Sequence, residues 1–397
     1  MGVTTQGVSR RWFITKGIPG GLVAAYTVLN SLDDVFAEEV KVDTFVNNGP
    51  SELRYDLLWL PEGYTDTAKE QTKFKKDVDA IVAASEKRKF FKEYGNLINW
   101  HRIWVPSENG WKMPGGNGTA FNVEHKKTSV SVNEKQKLSD LSGKTKTDLP
   151  CVLINASNDV GYTRREVLIT DLNVDLAIHE LGHGIGGLDD EYTKTNFKGI
   201  NVSIDEKNSP WMSIDGKVKG IKTCLAKDAD EKPITGYFKG EEAECLMGGA
   251  QPGLDYGILC TNGMILGLRK KIGMIASALQ ENLISVKKSA SVGIALETLA
   301  SRTYTPTVKA WYASGTPEEM DALAAQLRAG KLDLDSFADK KYKSAAVSNQ
   351  KNKATLTDKL PAGSYVMAVV VKDSNPAIYL DPEKVTVAQR VYRLDAA

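Results

Sequence analysis

Residues 179–192 read His-Glu-Leu-Gly-His-Gly-Ile-Gly-Gly-Leu-Asp-Asp-Glu-Tyr, and they constrain this chain more than any other stretch. On an α-helix, the four-residue spacing of His179 and His183 stacks two imidazoles on one face, within reach of one metal ion. Glu180 projects beside that face, where a carboxylate can act on water at the metal. Three matching residues recur by chance, but here the pattern continues. Gly186 and Asp189 complete the spacing HExxHxxGxxD. After the second histidine the chain must double back to bring in a third ligand. Glycine suits that turn because it tolerates positive φ, and Gly184, Gly186 and Gly187 crowd the place.

This spacing, with aspartate in the third position, follows the metzincin peptidase pattern. It predicts one catalytic zinc ion held by His179, His183 and Asp189. Asp190 and Glu191 are its neighbours and could replace it as the third ligand, with Asp189 preferred on spacing. They are expected to orient a ligand histidine or tie down the glycine turn. Met247, in Glu-Cys-Leu-Met-Gly-Gly-Ala, is expected beneath the metal as an apolar floor and not as a ligand. Zinc lowers the pKa of its water from about 16 to about 7. Glu180 would take that proton and later pass it to the leaving amine.

Fifty-one basic side chains against 50 acidic ones leave a net charge of +1, so nothing points to nucleic acid. The expected partner is a protein or peptide substrate. Ser9-Arg10-Arg11-Trp12-Phe13-Ile14 reads as a twin-arginine export signal. The mildly apolar stretch after it, residues 17–32, is short of the roughly 20 residues of a membrane span. Cleavage after Ala37 would leave no stable membrane anchor. The mature chain is expected in the periplasm or outside the cell, as a monomer. Four cysteines, Cys151, Cys224, Cys245 and Cys260, suit such an oxidising place. Cys151 lies in an apolar run and reads as a buried thiol on a strand. Cys245–Cys260 is the preferred pairing and Cys224–Cys245 its rival.

The fold expected is α+β. Residues 1–37 are the signal, 38–287 a catalytic domain with a mixed sheet, the HExxH helix and a Met-turn, and 288–397 a β-rich, sandwich-like accessory domain. Strands are predicted at Arg54–Leu60, Leu97–Val105 and Val152–Ala156. A helix follows a Thr67/Glu70 capping box, with Phe74, Val78, Ile81 and Val82 at helical spacing. Residues 107–148 read as a long polar loop with a few short strands. His101 and His125 read as structural or surface residues. Residues 262–283 predict an amphipathic helix with Ile265, Leu268, Ile272, Ile275 and Leu279 on one stripe. In the accessory segment, strands are predicted at Ser291–Ala295, Val308–Tyr312 and Tyr365–Val371, with a helix from Thr316 to about Gly330.

The chain resembles the IgA-peptidase family of bacterial metallopeptidases, whose signature is HExGHxxxxLxDEY. Its matches are His179, Glu180, Gly182, His183, Leu188, Asp190, Glu191 and Tyr192. Leu60-Pro61-Glu62-Gly63-Tyr64-Thr65, Val105-Pro106-Ser107, Ser209-Pro210-Trp211 and Cys245-Leu246-Met247 support it. The resemblance covers about residues 40–285 and implies a zinc endopeptidase. Gly248-Gly249 stands where the family usually has an arginine, and Gly161-Tyr162-Thr163 replaces a Tyr-Gly-Gly segment, so the substrate cleft differs. The segment from Asn158 to Arg165 is a candidate edge for pairing with an extended substrate. Two other readings share the motif: a zinc hydrolase of non-peptide amides such as cell-wall material, and an exported binding protein with a structural zinc.

Overall fold

Tyr55–Glu62 is buried at every position, and the computed structural model places it in the middle of a six-stranded sheet. The structure describes residues 40–396 except 117, 127–128, 158–159, 165–166, 192–198, 204–220, 228–232, 240–244, 250, 276–283, 287–293, 330–342, 351–352, 358, 377 and 379–386. Residues Val42–Ala397 form one compact unit. Eight strands come first: β1 (Val42–Val46), β2 (Tyr55–Glu62), β3 (Ile98–Ile103), β4 (Val123–Lys126), β5 (Ser129–Val132), β6 (Leu149–Ile154), β7 (Gly161–Arg164) and β8 (Val167–Thr170). The sheet order is β1-β3-β2-β6-β8-β7, with β4 and β5 a separate hairpin. The four inner strands are parallel, and β1 and β7 run antiparallel at the two ends.

Leu57 and Trp59 of β2 point into the core under the helices, while Leu58 and Leu60 alternate to the other face and are also buried. A strand covered on both faces reads as a continuous apolar run, which is why Leu57-Leu58-Trp59-Leu60 is legible as a strand. Helix α1 (Ala68–Ser85) buries Phe74, Val78 and Ile81 against this sheet. Each such side chain contributes about 1.5–3 kcal/mol. Its capping box is half formed. Thr67 Oγ1 accepts from the Glu70 N–H at 3.1 Å, but the Glu70 carboxylate turns away and accepts from Asn155 Nδ2 at 2.7 Å. Helix α2 (Lys89–Tyr94) follows it.

Residues 107–148 hold more structure than the expected loop. Besides the β4–β5 hairpin they form helix α3, Lys135–Gly143, whose buried face is only Leu138 and Leu141. Two apolar residues in nine give little periodicity to read. Buried Glu62 organises the insertion by accepting from Thr119 Oγ1 (2.6 Å), Phe121 N–H (2.8 Å) and Val123 N–H (2.8 Å). Burial pushes its carboxyl above the usual range despite these donors. His101 is structural, as expected. Its Nε2 meets Asp56 Oδ1 and its Nδ1 meets Thr44 Oγ1, both at 2.8 Å, tying β1 and β2 to β3.

Helix α4 is Val174–Gly186 and α5 is Ile258–Ile272. The predicted 262–283 helix therefore starts earlier and stops earlier. Gly273, at φ +68°, ends it. Ile275 then bridges Thr298 as extended chain, and Leu279 lies outside the described residues. Between these helices β9 (Val202–Ser203), β10 (Ile221–Lys227) and β11 (Pro233–Lys239) form a small antiparallel sheet.

The C-terminal segment contributes β12 (Ile284–Val286), β13 (Ile294–Glu297), β14 (Thr307–Gly315), β15 (Lys343–Ser344), β16 (Val347–Gln350), β17 (Lys353–Leu356), β18 (Gly363–Lys372) and β19 (Val387–Ala396). They make a five-stranded sheet, β12-β19-β18-β14-β15, and a three-stranded one, β13-β17-β16. Helix α6 (Pro317–Arg328) packs on the larger sheet with a full capping box between Thr316 and Glu319. Strand β19 escapes sequence reading because Arg390 and Arg393 interrupt its apolar alternation. Arg393 is buried between Asp321 and Asp395 instead. A buried ion pair locks this segment to the helices. Arg269 Nη2 meets Asp373 Oδ2 at 2.7 Å, and Tyr94 OH donates to the same oxygen at 3.2 Å. Removing either charge would strand the other in the interior.

Candidate metal centre

Helix α4 is specified at both ends. Asn173 Oδ1 accepts from the Leu176 N–H at 3.2 Å, and Asp175, in the first turn, pairs with Arg88. At the far end the Gly187 N–H donates to His183 O and the Leu188 N–H to Gly182 O. The left-handed residue is Gly187, at φ +59°, and not Gly186. The turn that carries the chain back to the histidines thus sits one residue later than the glycine spacing predicts.

That one-residue difference changes which aspartate meets the histidines. Asp190 Oδ1 lies 3.0 Å from His179 Nε2 and 3.3 Å from His183 Nε2, and the two Nε2 atoms are 3.1 Å apart. Asp189, the expected ligand, is engaged elsewhere. Its Oδ2 accepts from the Gly199 N–H at 2.7 Å, and its backbone N–H and C=O both bond the Asn201 side chain. The structure brings together His179, His183 and Asp190, and it puts the Asp189 carboxylate on the following loop.

The histidines are oriented by backbone. His179 Nδ1–H donates to Leu246 O at 2.9 Å and His183 Nδ1–H to Leu188 O at 2.6 Å. A carbonyl only accepts, so each Nδ1 carries its proton and each Nε2 presents a lone pair. Three lone-pair atoms crowded within 3.3 Å of one another repel unless a cation sits among them. Two imidazoles and one carboxylate are a donor set that suits zinc. Without a metal a proton takes that role. Burial pulls His183 down, but the Asp190 carboxylate bonded to it, with Glu180 nearby, outweighs burial and pushes it up to about 9. Asp190, although burial opposes it, is held well below the usual carboxylate range by the two histidines.

Glu180 is buried, with one carboxylate oxygen within 4.8 Å of the histidine nitrogens. Its Oε2 has no hydrogen-bond partner among the described residues. Burial raises its carboxyl above the ordinary range, and His183, His179 and Thr163 lower it in part. Strand β7 closes the sheet beside it. A Cβ placed on Gly161 would come within 2.6 Å of Glu180 Oε1, and Thr163 Oγ1 donates to Glu180 O at 3.1 Å.

Beneath α4 the turn Leu246–Gly248 carries buried Met247. A Cβ on Gly182 would meet Met247 Sδ at 2.7 Å, so only glycine allows this approach. The Met247 carbonyl accepts from the Glu191 N–H at 2.9 Å, which ties the turn to the residue after Asp190. Sequence reading missed the Leu246 and Leu188 carbonyls, since backbone groups leave no residue signal. Tyr192 and Ser209–Trp211 lie outside the described residues.

Residues 44–214 match one protein-family model, described as IgA Peptidase M64. The matched segment contains the six-stranded sheet from Thr44 on, helix α4 and all four residues of the centre. No curated protein matches the chain.

Proposed function

We propose that this chain, whose residues 44–214 match the IgA Peptidase M64 model, is a member of that family and a zinc-dependent endopeptidase. That match supports a metallopeptidase with a protein or peptide substrate, and implies a metal. One observation carries the finer reading: His179 Nε2, His183 Nε2 and Asp190 Oδ1 converge, with the unpartnered Glu180 Oε2 beside them.

His179 and His183 would hold the ion through Nε2 and Asp190 through Oδ1, in place of Asp189. The Leu246 and Leu188 carbonyls hold both rings in the binding tautomer. A zinc ion held there would supply Lewis acidity and a water acidified to a pKa of about 7. Glu180 Oε2 takes a proton from the attacking water and hands it to the departing amine nitrogen. Its burial raises its proton affinity, which suits a group that must hold the proton between the two transfers. Strand β7, at the end of the sheet and against Glu180, offers an edge along which an extended substrate can add as a further strand. A structural zinc would be closed by a fourth protein ligand. Among the described residues His179, His183 and Asp190 converge within 3.3 Å, and the nearby Glu180 keeps its Oε2 without a hydrogen-bond partner. Product analysis checks the class of substrate. New amino termini inside unmodified peptides are expected. Release of amines only from cell-wall amides would refute the endopeptidase reading.

The metal and the proton compete for His183. Its raised pKa gives the metal-stripped fold stability that is complete below about pH 6.5 and fades as pH rises through about 9. Asp190, held low, stays ionised over that window and does not change the comparison. The rise in Tm on adding zinc is therefore expected to be larger at pH 8.5 than at pH 6, read by differential scanning calorimetry. An equal or smaller rise at the higher pH would contradict the site.

Residues 1–37, outside the described residues, are proposed as a twin-arginine signal that delivers a monomer to the periplasm or beyond, with 288–397 as an accessory segment. No helix among the described residues is long and apolar enough to cross a membrane. Replacing Arg10 and Arg11 by lysine should leave the protein in the cytoplasm, as seen on fractionation. Unchanged export would refute the signal.

A further inference from the structure

A second cluster lies behind the metal centre: Glu191, Cys245 and Cys260, all buried, with one ligand atom from each within 4.8 Å of the others. We infer that Cys245 and Cys260 form a disulfide that pins the Met247 turn to α5. The two Sγ atoms are 3.5 Å apart and not bonded to each other. A disulfide needs about 2.05 Å, so closure asks for a shift of about 1.5 Å. Glu191 Oε1 is 3.0 Å from Cys260 Sγ and accepts its proton, while the Gly257 N–H donates to Cys245 Sγ at 3.1 Å. One thiol thus has a carboxylate acceptor beside it and the other a backbone donor. Cys151 has neither. Its thiol faces the Leu149 carbonyl at 3.6 Å, and burial pushes its pKa well up. A metal would use the same three groups, but a closed zinc site wants four protein ligands, and the described residues place three here.

The oxidant is a low-molecular-weight disulfide such as oxidised glutathione. The Cys245 thiolate, from the less buried of the two thiols, attacks one of its sulfurs and expels a glutathione thiolate, which takes up the Cys245 proton. Cys260 Sγ then attacks Cys245 Sγ in the mixed disulfide, and the second glutathione leaves as a thiolate that takes up the Cys260 proton. One disulfide is reduced to two thiols, and one protein disulfide forms.

The bond links cysteines 15 positions apart in the sequence. It braces two parts of the centre. Leu246, next to Cys245, accepts from His179 Nδ1–H, and the Glu191 N–H bonds the Met247 carbonyl. This consequence rests on the metal reading above, whereas the cross-link does not.

The test incubates the full chain with oxidised glutathione, then denatures and alkylates it without reduction. Mass spectrometry should find two alkylated cysteines of the four and a peptide joining Cys245 to Cys260. Four alkylated cysteines would overturn the proposal, and two zinc ions per chain alongside them would assign the cluster to a metal. A link through Cys224 or Cys151 would also overturn it. In wild-type protein, reduction should lower Tm by roughly 5 °C. It should also speed zinc release to a chelator by about 10-fold. Equal release rates would remove the brace and leave the cross-link standing.

Discussion

Asp190→Ala should empty the metal centre, whereas Asp189→Ala should leave it loaded. Loss of a direct ligand is expected to weaken zinc binding more than about 100-fold, beyond the 10–100-fold typical of groups that only orient ligands. Activity at limiting zinc should fall with it. The geometry separates the neighbours, since one carboxylate touches both His Nε2 atoms and the other accepts from the Gly199 N–H. Asp189→Ala removes a hydrogen bond from a half-buried loop and should cost about 1–2 kcal/mol of stability while zinc content stays near one per chain. Metal analysis after dialysis, with thermal melts alongside, reads both. Zinc loss in Asp189→Ala with retention in Asp190→Ala would reverse the assignment.

The second large effect belongs to Glu180→Gln. The substitution keeps shape and volume. Oε2 has no hydrogen-bond partner among the described residues, so removing its charge breaks no bond there and relieves a buried carboxylate. The fold and zinc content should survive. Proton transfer is worth about 10²–10⁴-fold, so kcat should fall by at least that range while KM changes little. A zinc-loaded Glu180→Gln enzyme with wild-type kcat would exclude Glu180 as the proton carrier.

Helical and strand periodicity made much of the fold legible. Phe74, Val78 and Ile81 mark α1, the Leu57–Leu60 run marks β2, and His179, Glu180 and His183 lie where helical spacing places them. What failed was fine register. Choosing between Asp189 and Asp190 depends on which glycine turns left-handed, and Gly184, Gly186 and Gly187 look alike in sequence. The structure puts the turn at Gly187, and the loop then advances Asp190 to the histidines. The family signature had already marked Asp190 as its aspartate, a cue the six-residue spacing outweighed. Helix α3 and strand β19 escaped because their apolar faces are short or broken by arginine. The end of α5 escaped because Ile275 and Leu279 continue its stripe past Gly273, where the helix stops.

The most direct test of the whole account is a zinc titration. Protein stripped by a chelator is supplied with increasing zinc while internal cleavage of a mixed peptide library is followed by mass spectrometry. The account predicts no cleavage without metal, and a rise that levels off at one zinc per chain. Cleavage that persists in excess chelator, or none at one equivalent of bound zinc, would contradict it.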